Sequence, residues 1–401
     1  MTLIHDDRAA VRRGRVAVYL LFLLSGTAIG TWTARIPTIK QDLGLGDGQL
    51  SIGLLGIAAG AITGMQVVGR LVDRFGSVKV MLPMAFAQGV VLVLPALAPN
   101  LVTLTLALFA FGAVHGTLDV AMNANAVEVE QAMNRPIMSS FHAVFSIGGF
   151  LGAVTGGLLA TAALTPAVTF LLVAVAIAAM ALWASRWAFT RRAEAVHAEG
   201  GTTSAGGAGG VLLLGVLAFC CMIGEGAAAD WSSVYLENLS GSEGLAAAAY
   251  AAFSIMMTAG RLAGDRLTAR FGPVALVRAC GLLAAGGLGT ALLIDRPIAG
   301  VIGFACFGAG LSCIVPQVFS AAGRRDPARA GRALARVASL GYAGFLTGPV
   351  LIGGAAELLS LPRALAVPAV LAFFVALAAP ALRVPGSGPS PAPDAEFDAR
   401  V

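Results

Sequence analysis

Three acids stand inside long apolar runs, where a chain has least use for a charge: Asp119, Glu225 and Asp230. A charged side chain near the middle of a bilayer costs at least about 3 kcal/mol, so an acid kept there points to function. Asn123 follows Asp119 by four residues, which sets both on one helix face. Its amide both donates and accepts, as a hydroxylated ligand requires. A carboxyl taken out of water favours its neutral form, the chemical requirement for loading and releasing a proton. The competing role for these acids is a structural hydrogen bond to a neighbouring helix. Glu225 sits between Gly224 and Gly226, where the backbone can be approached closely, and Asp230 lies beside Trp231, where it serves equally as a binding group or an interfacial anchor. His142 titrates ordinarily near physiological pH and is a further candidate for a proton or a ligand, with a packing role as its competitor. His115, four residues before Asp119, shares its face.

The elements that position these residues follow from composition. A chain of 401 residues that is 58% hydrophobic and 12% charged, with mean hydropathy +0.85, does not have water as its main solvent. Apolar runs broken by Gly, Pro and charges predict helices near 15–36, 49–71, 78–97, 101–126, 137–160 and 165–187, then near 210–236, 244–264, 273–294, 297–322, 333–358 and 362–382. The expected fold is an all-α polytopic membrane protein of about twelve transmembrane helices. The first run has no cleavage pattern and reads as a span, not a signal peptide. The five cysteines lie inside apolar runs without metal-ligand spacing and read as packing residues, with no metal and no disulfide expected.

With both termini on one side, that side holds 22 of the 26 Lys and Arg, all but Arg35, Lys40, Arg296 and Arg363. Basic residues in short loops stay in the cytoplasm, so both termini are expected there. The chain divides into a cytoplasmic N-terminal segment (1–14), a six-helix bundle (15–187), a Gly/Ser/Thr-rich linker (188–209), a second six-helix bundle (210–382) and a Pro/Gly-rich, disordered cytoplasmic tail (383–401). The basic clusters accompany no groove-reading motif, which argues against nucleic acid.

The second half restates the first. Thr31-Trp32-Thr33 recurs as Asp230-Trp231-Ser232 at an offset of 199; Asp73-Arg74-Phe75-Gly76 recurs as Ala269-Arg270-Phe271-Gly272 at 196. Phe111-Gly112-Ala113 recurs as Phe307-Gly308-Ala309 at 196, and Gly149-Phe150-Leu151 as Gly344-Phe345-Leu346 at 195. Six spans per repeat mean that both halves enter the membrane in the same direction, related by an axis along its normal, with a cleft between them. Small-residue stripes, Gly148, Gly149, Gly152, Gly156 and Gly157 in span five and Gly344, Gly348, Gly353 and Gly354 in span eleven, allow helices to approach and slide.

The stretch Gly69-Arg70-Leu71-Val72-Asp73-Arg74-Phe75-Gly76, with Lys79, resembles the signature loop between spans two and three of the major facilitator superfamily; Ser77 stands where that signature has a basic residue. A degenerate copy runs from Gly260 through Asp265 and Arg266. The resemblance covers nearly the whole chain and implies a gating role for Asp73, Arg74, Asp265 and Arg266, tying helix ends through charge-assisted bonds that break when the bundles rock. For the arginines the competing role is simple anchoring. Trp32 to Pro37, Gly116 to Asn123, and Ser140-Phe141-His142 followed by Gly148-Gly149 resemble the fucose-permease-like sugar transporters. In that branch a span-four acid followed four residues later by Asn lines the sugar and proton site, which maps to Asp119 and Asn123; its span-one Asp is replaced here by Thr33.

The expected function is therefore secondary transport by alternating access, with uptake of a sugar or similar polar metabolite together with protons, and with proton-driven efflux of amphipathic compounds as the alternative. The chain carries no nucleotide-binding motif, so no cofactor is expected. Dispersed histidines argue against an enzyme, and a non-transporting sensor would normally append a signalling domain. Its partners are then a small solute, protons and the lipid bilayer of the inner (plasma) membrane, and a monomer suffices.

Overall fold

Without water to satisfy its backbone, an apolar segment must close its hydrogen bonds internally, and helix is the outcome. The computed structural model describes residues 2–190, 205–240, 243–325 and 327–383. These form α1 (Thr2–Asp42), α2 (Asp47–Phe75), α3 (Ser77–Val93), α4 (Leu101–Met133), α5 (Met138–Thr161) and α6 (Pro166–Trp187). The second half contributes α7 (Ala205–Ser240), α8 (Glu243–Ile294), α9 (Pro297–Leu311), α10 (Ile314–Arg325), α11 (Ala330–Leu359), α12 (Leu361–Ala364) and α13 (Ala366–Ala378). Local chemistry sets several ends: the Asn100 side chain caps α4 by accepting from the Thr103 amide, and Thr165 caps α6 ahead of Pro166.

Among the described residues, eleven helical stretches are long and apolar enough to cross a membrane. One of them lies in α8, whose 52 residues are interrupted at Gly272 by φ 76° and ψ 160°. The same turn separates α2 from α3 at Gly76, with φ 87° and ψ 155°. Residues with a β-carbon avoid this region, so the internal repeat reappears as a shared backbone turn that requires glycine.

The expected helices are present, with differences at their ends and breaks: those expected at 244–264 and 273–294 join through the Gly272 turn in α8, and that expected at 362–382 divides at Leu365 into α12 and α13. The segment 1–14, expected ahead of the first span, continues into it as helix from Thr2. The single helix expected at 297–322 is broken between Leu311 and Ile314 into α9 and α10. Most of the expected linker (188–209) and all of the expected tail beyond residue 383 lie outside the described residues.

Packing repeats as the sequence does. In the first half α1 packs against α5 and α2 against α4; in the second α7 packs against α11 and α8 against α9. Glycines make these contacts close. A β-carbon on Gly60 would strike the carbonyl of Phe109 in α4, and one on Gly152 the carbonyl of Thr27 in α1. Gly344 stands likewise against the Phe219 carbonyl of α7. Outward faces carry Val102, Leu106, Val175 and Val370, all well exposed, as lipid-facing positions are. Across the seam between the halves, α2 meets α11 and α5 meets α8.

Candidate solute cavity

Between the halves lies a cavity of about 430 Å³, lined by residues of both. From the first half Asp119 and His115 (α4) and His142 (α5) reach it; from the second come Glu225 (α7), Arg261 (α8) and Tyr342 (α11). The rest of its wall is apolar, with Phe145, Met222, Phe319 and Phe345 among the large side chains. The volume falls in the range of small-molecule sites, and a few polar groups in a largely apolar wall is their usual make-up.

Asp119 forms no salt bridge among the described residues. Its support is Asn123, whose Nδ2 donates to the Asp119 backbone carbonyl at 2.9 Å and to its Oδ1 at 3.3 Å. Asn123 is fully buried and is not part of the cavity wall. The i, i+4 spacing does pair the two residues, but the amide turns back on its own helix and holds the acid in place where a shared ligand face was expected. His115 faces Ser25 across α1, Oγ to Nδ1 at 3.5 Å, and not Asp119. His142 is held between the rings of Phe22 and Phe319, at 5.3 and 5.9 Å between centroids, and its buried Nε2 has no hydrogen-bond partner.

Glu225 accepts from Arg261 Nη2 at 3.3 Å, in a pair whose side chains are 16% and 12% exposed. Arg261 Nη1 also donates to Ser146 Oγ at 2.8 Å, so this guanidinium ties α7 and α8 to α5 of the other half. Arg261 was expected among the inner-end basic residues, as part of the degenerate signature; it is a cavity residue. The signal available in the sequence was its place inside the 244–264 run, three residues from that run's end. Asp230 is exposed and away from the cavity, so the structure does not bring it together with the other acids. Trp32 and Trp231 also pack within their own halves: Trp32 is buried against Phe111 and Phe170, and Trp231 Nε1 donates to the Pro349 carbonyl at 3.0 Å. Arg35 is buried and donates to the Leu164 carbonyl at 2.6 Å, holding the α5–α6 turn. Thr33 bonds its own helix at the Ile29 carbonyl.

One end of the cavity is closed by bonds across the seam, at the end carrying the Gly76 and Gly272 turns. Asp73 Oδ1 accepts from the Gly331 amide at 2.9 Å and its Oδ2 from Arg332 Nε at 2.6 Å. Asp265 accepts from the Ser140 amide with both oxygens at 3.2 Å. Each acid thus caps the start of a helix in the opposite half, α11 and α5, where unpaired amides and the helix dipole favour a negative charge. Asp73 lies three residues before its glycine turn and Asp265 seven before its own, so the second cap is one helical turn deeper. Arg74 and Arg266 are exposed; Arg74 lies over the ring of Phe75, 5.1 Å from its centroid, and neither crosses the seam. A further acid, Glu130, joins the closed end unannounced by any motif: its Oε2 accepts from the Ile137 and Met138 amides at 3.0 Å, and its Oε1 accepts from Ser320 of α10.

Against known proteins, residues 18–330 match the family profile described as Major Facilitator Superfamily. The chain is 36% identical to a Sinorhizobium fredii protein described as "Uncharacterized transporter y4wD", over 90% of this chain and 96% of that one. It is also 36% identical to a Yersinia pestis protein described as an uncharacterized MFS-type transporter, over 95% and 99%. Among solved structures it is similar to the transporter FucP in its outward conformation, with TM-score 0.76 at 16% identity, over 92% of this chain and 98% of that one. Repeated halves, a cavity on the seam between them and a matching family profile agree on a transporter, not an enzyme: the chain belongs to the Major Facilitator Superfamily.

Proposed function

We propose that this chain moves a small polar solute, a sugar or similar metabolite, together with protons across the inner membrane by alternating access. The observation that carries the reading is Asp119: an acid at the wall of a cavity on the seam, braced by Asn123 and without a counter-cation. A proton on Asp119 neutralises the wall before solute enters, and its release on the other side resets the cycle. Glu225, paired with Arg261, is the second acid of the cycle, and His142 offers a ring nitrogen to the solute. Asp230, exposed near one end of α7, acts at most on the approach of solute. In this reading the two arms of α8 are separate crossings, making twelve spans, and the bias of the basic residues supports both termini, with the Gly76 and Gly272 turns, lying in the cytoplasm. The closed end is then the inner one and the form described faces outward.

The test is proton movement in liposomes containing purified protein, with a panel of sugars. Wild type should alkalinise the outside when solute is added, and Asp119→Asn should abolish that while leaving solute exchange. A mutant that couples as well as wild type would sink the assignment. The apolar remainder of the cavity wall favours a second reading, exchange of amphipathic compounds for protons; it replaces the first if only such compounds move, and in the opposite direction to protons.

A further inference from the structure

Beside the Asp73 cap, a groove of about 150 Å³ follows the seam of α2 and α11. Its walls bring together three guanidinium groups, Arg70 from the first half and Arg332 and Arg336 from the second. Its floor includes Gly69 and Ala335, which are small enough for close approach: a β-carbon on Gly69 would lie 3.0 Å from the Ala335 Cβ and the Arg332 Cα. Bonds across the seam close both ends, Asp73 to Gly331 and Arg332 at one and Gln66 Nε2 to Ser339 Oγ, at 3.4 Å, at the other. Arg332 is engaged by Asp73, whereas Arg70 and Arg336 are exposed and form no hydrogen bond or ion pair among the described residues. Like charges one turn apart on a helix repel, and Arg332 and Arg336 are so placed with a third cation facing them. A single carboxylate does not balance three guanidinium groups held in one groove.

We propose that Arg70, Arg332 and Arg336 form a binding site for a phosphate-bearing anion, seated across the α2–α11 seam. The guanidinium fork matches phosphate oxygens two at a time, and basic pockets between membrane helices at the cytoplasmic face hold anionic headgroups. The α2 residues of the groove, Met65 to Arg70, lie about two to three turns in from the Gly76 turn, and a phosphodiester lipid and free phosphate share the required chemistry. Because its walls belong to different halves, the bound anion holds the closed end closed.

The experiment is native mass spectrometry of the full chain released from nanodiscs of phosphatidylcholine mixed with phosphatidylglycerol, with and without added inorganic phosphate. Wild type should retain phosphatidylglycerol in preference to phosphatidylcholine, and Arg70→Gln/Arg336→Gln should lose that preference by about fivefold for each guanidinium removed. The control Arg74→Gln/Arg270→Gln removes the same charge from the same end, at exposed positions outside the groove, and should change little. Retention that inorganic phosphate displaces at millimolar level identifies a soluble phosphate compound as the occupant; retention it leaves untouched identifies the lipid. The proposal is overturned if wild type shows neither a lipid preference nor phosphate binding, or if the control variant loses as much as the groove variant.

Discussion

At the scale of residues, the cavity is governed by which charges have partners. Arg261 and Glu225 lie little exposed, so removing one leaves the other desolvated and unpaired. Arg261→Gln is expected to cost about 3 kcal/mol, and Arg261→Met/Glu225→Met distinctly less, because both charges then leave together; thermal unfolding midpoints in detergent measure the difference. Asp119 and Glu225 were legible in the sequence because an acid in an apolar run is rare and needs a reason. Their settings were not. Spacing placed Asn123 on the face of Asp119 but not the turn of its amide onto the Asp119 carbonyl, since both geometries satisfy the same i, i+4 pattern. The tie between Arg261 and Glu225 joins residues 36 apart on different helices, and no local pattern encodes such a meeting.

At the scale of elements, glycine decides which helices touch. Gly60 stands against the Phe109 carbonyl, whereas nothing lies within 4 Å of a β-carbon placed on Gly157. Gly60→Val is therefore expected to separate α2 from α4 and lower the unfolding midpoint strongly, by overpacking of about 1–3 kcal/mol or more, while Gly157→Ala is neutral or slightly stabilising through helix propensity. Circular dichroism melts of both variants provide the comparison. The small-residue stripes of spans five and eleven were readable as contact faces, and Gly148, Gly152, Gly344 and Gly348 occupy such contacts. Gly157 and Gly354 do not, because composition marks a stripe without showing where it leaves its neighbour. Span positions were also plain from the apolar runs. Helix ends were less so: α1 extends back to Thr2 because polar residues continue a helix readily once the apolar stretch has nucleated it.

At the scale of the whole molecule, two halves are held together at one end by acids that cap the opposite half. Asp73 and Asp265 could be singled out from the repeated signature, but their partners could not, because the Gly331 and Ser140 amides are backbone groups that every residue carries. Glu130 had no motif at all. Removing the charge at either cap, as Asp73→Asn or Asp265→Asn, is expected to shift the balance toward the form open at this end by about 1.5 kcal/mol, roughly tenfold. The two effects should add if the caps act independently. Spin labels at Phe75→Cys and Phe271→Cys, exposed residues beside the two glycine turns, report the distance between the halves. An unchanged distance distribution in the double variant would remove the caps from the gating mechanism.

The one-turn stagger between those caps gives the closed end a direction. Asp73 meets Arg332, whose side chain is 48% exposed, near the rim, while Asp265 accepts from the Ser140 amide further in. Mobile ions reach the outer pair and screen it, whereas the inner one is shielded from them. The seam then parts like a zip whose first tooth loosens with ionic strength and whose second responds only once water has advanced a full turn along α5.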